Sequence, residues 1–86
     1  MLRADSSVPL YRQLYDQLRA EIEGGGYEVG KKLPSERQLA AYHGISRITA
    51  RRAIEVLANE GYVRTFQGKG CYVARTRASR GHRRSA

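Results

Sequence analysis

Arg47 and Arg51 stand four residues apart in the run Ser46-Arg47-Ile48-Thr49-Ala50-Arg51. On a helix that spacing puts both guanidinium groups on one face. A guanidinium can donate two hydrogen bonds to the edge of a guanine in a DNA major groove, and each such pair is worth about 1 to 3 kcal/mol of discrimination. Ser46 and Thr49 add short hydroxyls at what would be a positive helix terminus, which suits phosphate oxygens. The competing explanation of the same arginines is an ordinary solvated helix face. Arg52 keeps that plainer reading, because it points about 100 degrees away from Arg51 and has Glu55 or Asp16 as ion-pair partners.

Catalysis lacks its parts. His43 and His82 are the only histidines, no carboxylate pair is spaced for acid and base work, and Cys71 has no partner for a disulfide, a zinc site or a nucleophilic dyad. No enzyme activity, cofactor or metal is expected. Cys71 reads as a small strand residue and His43 as a helix-surface residue before a turn.

The chain has 86 residues, room for one small domain, and 16 Lys and Arg against 8 Asp and Glu, for a net charge of +8. A surplus of that density attracts polyanions. A membrane partner is not expected, since the chain has neither the roughly 20 consecutive apolar residues of a span nor a basic helix with a broad apolar face. Residues 1–8 lack the basic and then apolar order of a secretory signal, so a cytoplasmic location is expected.

The elements that must position these side chains are legible from spacing and caps. After Pro9, Tyr11, Leu14, Tyr15, Leu18 and Ile22 recur at intervals of three and four, predicting a first amphipathic helix that stops at Gly24-Gly25-Gly26. Residues 27–34 read as a connector. Ser35 with Gln38 forms a capping box for a second helix of about two turns carrying Leu39, Ala40 and Ala41 and ending by Gly44. Ile45 as a hydrophobic staple toward Ala50, with Ser46 as cap, starts a third helix whose buried stripe is Ala50, Ala53, Ile54, Leu57 and Ala58. It ends at Gly61. Residues 62–66 and 71–75 are predicted strands around the turn Gln67-Gly68-Lys69-Gly70.

Two short helices joined by a glycine turn match the helix-turn-helix, whose second helix enters the major groove with its N-terminal residues nearest the bases. The hairpin tip adds a second signal: glycines flanking Lys69 allow close approach, and a thin basic loop fits a minor groove. Alone, a G-x-G pattern is more often an ordinary turn. The expected fold is mostly α with a small β hairpin, a winged helix-turn-helix of three helices and a two-stranded wing. It occupies residues 1–75, and residues 76–86 form a basic tail expected to be disordered.

Taken together, Pro9-Leu10-Tyr11, the Leu33-Pro34-Ser35-Glu36-Arg37 block, Leu39-Ala40, the Ser46 to Arg51 run, Glu60-Gly61 and Gly68-Lys69-Gly70 resemble the DNA-binding domain of the GntR family of transcriptional regulators, over about residues 8–74. The P-L-Y opening is similar to the HutC-type branch. The resemblance implies a DNA contact for Arg37 beside the recognition helix, agrees with Ser46, Arg47, Thr49 and Arg51, and places Gln67 and Gly68 at the minor groove with Lys69 extending the same tip. It also implies a repressor that occupies an operator. Ala50 departs from the Val or Leu common in the family, and Ile48 falls on a variable position. Members usually continue into an effector-binding, dimerising domain. This chain ends instead, either as a fragment or as a compact regulator without an effector site.

The partner expected is therefore double-stranded DNA with a palindromic or repeated operator, read by a weak or DNA-assisted homodimer, because one module reads only a few base pairs. The alternative is a winged-helix module binding RNA or a protein, since a fold hosts several functions. A protein-binding module should expose apolar residues at the start of the third helix, where only Ile48 is of that kind.

Overall fold

The computed structural model describes residues 2–75, and the basic tail lies outside them. Pro9 sits one position before the first helix, where its missing amide costs nothing, and α1 runs Leu10–Glu23 until Gly24 caps it. Its four buried residues, Leu14, Tyr15, Leu18 and Ile22, are those of the predicted stripe, while Tyr11 is half-buried.

The second helix, α2, spans Glu36–His43, and its capping box is complete. The Gln38 amide donates to Ser35 Oγ at 3.0 Å and the Ser35 amide to Gln38 Oε1 at 2.9 Å. Gly44 follows in the left-handed conformation at φ 68°, which lets the chain turn directly into the next cap. Leu39 and Ala40 face inward, whereas Ala41, about 200° around the helix from Leu39, is exposed.

The third helix, α3, spans Arg47–Asn59 from the Ser46 cap, whose side chain accepts from the Thr49 amide at 3.0 Å. Ala50, Ala53, Ile54 and Leu57 are buried on it and Ala58 is half-buried. Ile45 packs against the core that contains Ala50, as a staple should.

Strand β1 is Val63–Phe66 and β2 is Gly70–Val73, antiparallel, with Val63 opposite Val73 and Phe66 opposite Gly70. Both strands are shorter than the predicted 62–66 and 71–75. Tyr62 and Arg75 fall outside the ladder, although the Ala74 amide still donates to the Tyr62 carbonyl at 2.8 Å. The larger difference concerns residues 27–34. Gly30 donates to the Val73 carbonyl, Val73 to that of Lys31 and Leu33 to that of Cys71, each at 2.8 Å, so the connector lies along the free edge of β2. Lys32 and Tyr72 form the bridge between them. This pairing anchors the wing to the body and delivers Leu33 into the core at 2% exposure.

The core joins α1, α2, α3, Leu33 and the bases of both strands, and burial of these side chains is the main stabilising term. Among the described residues no buried side-chain polar atom lacks a partner, and no helix is long and apolar enough to cross a membrane.

Candidate nucleic-acid interface

The N-termini of α2 and α3 and the tip of the hairpin open on one groove of about 810 Å³. Arg37 from α2, Arg47 from α3, and Gln67 and Gly68 from the hairpin all line it. These four residues, from Arg37 to Gly68 in sequence, are thus brought to one surface. The helix-turn-helix angle and the wing's anchorage to residues 30–33 produce that convergence.

Arg47 and Ile48 are exposed at the start of α3, Ile48 by 76%, and Thr49 is half-buried. The Ser46 hydroxyl donates to Thr49 Oγ1 at 2.8 Å while accepting from the Thr49 amide, so the two hydroxyls form one unit at the positive end of the helix. Lys69 sits at the hairpin tip, outside the groove lining. The turn is a three-residue loop closed by the Lys69 amide donating to the Phe66 carbonyl at 2.9 Å. Gly68 at φ 78° and Gly70 at φ 102° supply the positive φ that such a loop requires.

Arg51, one turn beyond Arg47, is not among the residues lining the groove, nor are Ser46 and Thr49, and it already has a partner at the groove's edge. Its Nε lies 3.3 Å from both carboxylate oxygens of Glu36, which also lines the groove. The pair is partly exposed, 56% for the arginine side chain and 29% for the glutamate, so it contributes little to stability. That hydrogen bond also holds the Arg51 pKa above its ordinary value. The sequence ranks Arg51 as a base reader and gives Glu36 no part. The signal that could have found it is positional: a carboxylate in the first turn of α2, next to Arg37.

Arg52 pairs with neither Glu55 nor Asp16. Its guanidinium lies 4.3 Å from the centre of the Tyr11 ring, and Asp16 is held instead by Arg12 at 3.4 Å. The ring of Tyr11, the second residue of α1, takes the guanidinium instead. Phe66, 46% exposed beside the groove, is a second apolar contact surface that the sequence reading did not single out.

Cys71 is 6% exposed in β2, and burial, with the nearby Glu36 carboxylate as a lesser cause, pushes its thiol up to about 11. It is inert packing. His43 ends α2 with its ring edge-on to Tyr42 at 4.9 Å. Among the described residues no group of His, Cys, Asp and Glu could hold a metal.

Comparison with known proteins agrees with this architecture. The chain is 38% identical over 74 residues to the HTH-type transcriptional repressor NagR of Bacillus subtilis, covering 86% of this chain and 30% of that protein. It is 38% identical over 71 residues to MngR of Escherichia coli, the repressor of the mannosyl-D-glycerate transport and metabolism system, covering 83% of this chain and 30% of the relative. It thus spans less than a third of the length of these relatives. Among solved structures, the DNA-binding domain of AraR in complex with operator ORX1 superposes with a TM-score of 0.80 at 31% identity, over 86% of this chain and 93% of that one. The family model described as bacterial regulatory proteins, gntR family, matches residues 10–73. The chain belongs to the gntR family of bacterial regulatory proteins.

Proposed function

We propose that this domain binds double-stranded DNA in a sequence-specific manner as part of a transcriptional repressor, with α3 in the major groove and the hairpin at the minor groove. The observation that carries the proposal is the convergence of Arg37, Arg47, Gln67 and Gly68 on one groove. Glu36, the one carboxylate lining that groove among the described residues, is spoken for by Arg51. Arg47 and Arg51 read base edges, and Arg37 reaches the DNA beside them. Ser46 and Thr49 set register on phosphates, and Gln67, Gly68 and Lys69 approach the minor groove. The AraR domain bound to its operator and the repressor names of NagR and MngR support the same reading.

The Pro9-Leu10-Tyr11 opening supports placement in the HutC-like branch. Residues 1–75 act as the DNA-binding domain, and the basic tail 76–86 adds sequence-independent affinity by releasing counterions. The operator is palindromic or repeated, read by a weak or DNA-assisted homodimer in the cytoplasm, without catalysis.

Selection of bound duplexes from a random pool at about 150 mM salt, where nonspecific binding is weakened, tests this directly. A symmetric motif with guanines at fixed positions is expected. Enrichment of single-stranded or RNA ligands instead, or of no duplex, would overturn it.

A further inference from the structure

We infer that Glu36 is a specificity-determining positioning residue, which fixes the guanidinium of Arg51 so that only its two terminal nitrogens are offered to a base. The inference rests on the DNA-binding reading above and deepens it. Three observations carry it.

First, the charge is in an unfavourable place. Glu36 lines the groove shared by Arg37 and Arg47, where a polyanion would approach, and a carboxylate there repels phosphates and lowers affinity for every sequence alike. Second, the pair is too exposed to be retained for stability, at 56% and 29%. Third, its geometry is selective. Arg51 Nε lies 3.3 Å from each carboxylate oxygen, so Glu36 takes the inner donor. A guanidinium offers five donors in a fixed fork, and with the Nε side taken the edge formed by Nη1 and Nη2 is left to meet guanine.

A free arginine carries a large rotamer entropy that binding must remove. Glu36 removes it beforehand, and it does so from a different helix, across 15 residues of sequence. The guanidinium direction is then set by the α2 to α3 angle instead of by α3 alone. Uniform affinity falls and discrimination at one base pair rises, which is how a specific reader differs from an electrostatic one.

The test is selection from a random duplex pool, together with nonspecific affinity and its salt slope, for the wild type, Glu36→Ala, Glu36→Gln and Arg51→Ala. Circular dichroism melts confirm that each variant folds. Glu36→Ala is expected to bind nonspecific duplex more tightly and to lose about tenfold discrimination at one base pair per half-site. That pair should be the same one lost in Arg51→Ala. Glu36→Gln, which keeps an acceptor oxygen for Nε, should raise nonspecific affinity equally and recover part of the lost discrimination; it also serves if the alanine variant fails to fold.

Uniform tightening of Glu36→Ala with an unchanged motif would overturn the inference and leave Glu36 as a charge filter. Loss at a base pair that Arg51→Ala does not affect would also overturn it, since Glu36 would then contact a base by itself. A wild-type protein that selects no duplex motif would overturn the DNA-binding reading itself, and the inference with it.

Discussion

The hydroxyl of Tyr15, on α1, donates to the carboxylate of Glu60 at the end of α3, forming a tie between the two longest helices. A reciprocal tie runs back, with Tyr62 donating to Glu23 at the end of α1 while Arg19 Nε donates to the Tyr62 hydroxyl at 3.2 Å. Tyr15 is 1% exposed, so its ring is core and only its hydroxyl reaches the edge. Tyr15→Phe keeps the ring and deletes the bond. It should cost about 1 kcal/mol, because Glu60 is exposed and water can replace the lost donor. For a domain of this size the midpoint of thermal unfolding should fall by about 4 to 8 °C. An unchanged midpoint would mean that the tie is redundant with the second one.

The turn between α2 and α3 depends on a backbone conformation more than on space. Gly44 has φ 68°, yet nothing lies within 4 Å of where a Cβ would stand. Gly44→Ala should therefore cost about 1 to 2 kcal/mol from the left-handed backbone alone. Gly70→Ala should cost more, since φ 102° lies well outside the left-handed well at about +57°, whereas the Lys32 Cε that the new Cβ would meet at 2.8 Å belongs to the flexible end of a side chain that can move away. Urea denaturation of the two variants checks the order, and equal losses would mean that the hairpin backbone relaxes around the new side chain.

These examples show which features are legible in a chain of this kind. Ser35 with Gln38, Ser46 with Thr49, and Gly44 act on neighbours within a few residues, so caps, turn and helix starts could be read directly. Arg37, Arg47, Gln67 and Gly68 could be named, Arg37 only through family resemblance, but their common groove is a product of tertiary angles. The pairing of residues 30–33 with β2 gave no local sign, because Lys31 and Lys32 lack the apolar alternation of a strand and the pairing is made by backbone amides. The partners of Arg51 and Arg52 were missed for a related reason. Glu36 and Tyr11 come from other helices, whose packing against α3 helical spacing does not give, and Asp16, on the same helix as Tyr11, is held by Arg12.

The buried thiol gives the fold an alkaline limit. Cys71 is raised from 9.0 to about 11 in the folded protein, so the unfolded chain ionises first. The stability this contributes is fully present below pH 9 and is lost as pH rises through about 11. Tyr15 and Tyr27, both raised from 10.0 chiefly by burial, add to the loss above that value. Urea midpoints measured between pH 7.5 and 10.5 should fall, less steeply in Cys71→Ala. At pH 8 only on the order of a thousandth of the native thiol is ionised, so iodoacetamide should label it slowly until urea is added. Rapid native labelling would show that β2 opens readily.

Residues 76–86 test whether charge outside the described fold contributes to affinity. Arg75 is tied down at the far end of α3, its guanidinium donating to the Glu60 carbonyl and lying 4.4 Å from the centre of the Tyr62 ring. Removing residues 76–86 should weaken binding to all sequences alike and flatten the dependence of affinity on salt. An unchanged salt slope would mean that the tail does not touch the duplex.

Arg47 and Lys69 should separate the two grooves of DNA. Arg47 lines the groove at the start of α3 and has the fork that guanine requires, so Arg47→Ala should cost about 1 to 3 kcal/mol on the selected motif and less on random duplex. Lys69 offers a point charge at the tip of a loop and no such fork. Lys69→Ala should weaken motif and random duplex equally and reduce the salt slope by about one. Titrations at two salt concentrations with both kinds of duplex distinguish the cases. Equal losses for Arg47→Ala on both would make it a phosphate contact and leave base reading to Arg51 and Arg37. A motif-specific loss for Lys69→Ala would instead place base recognition in the wing.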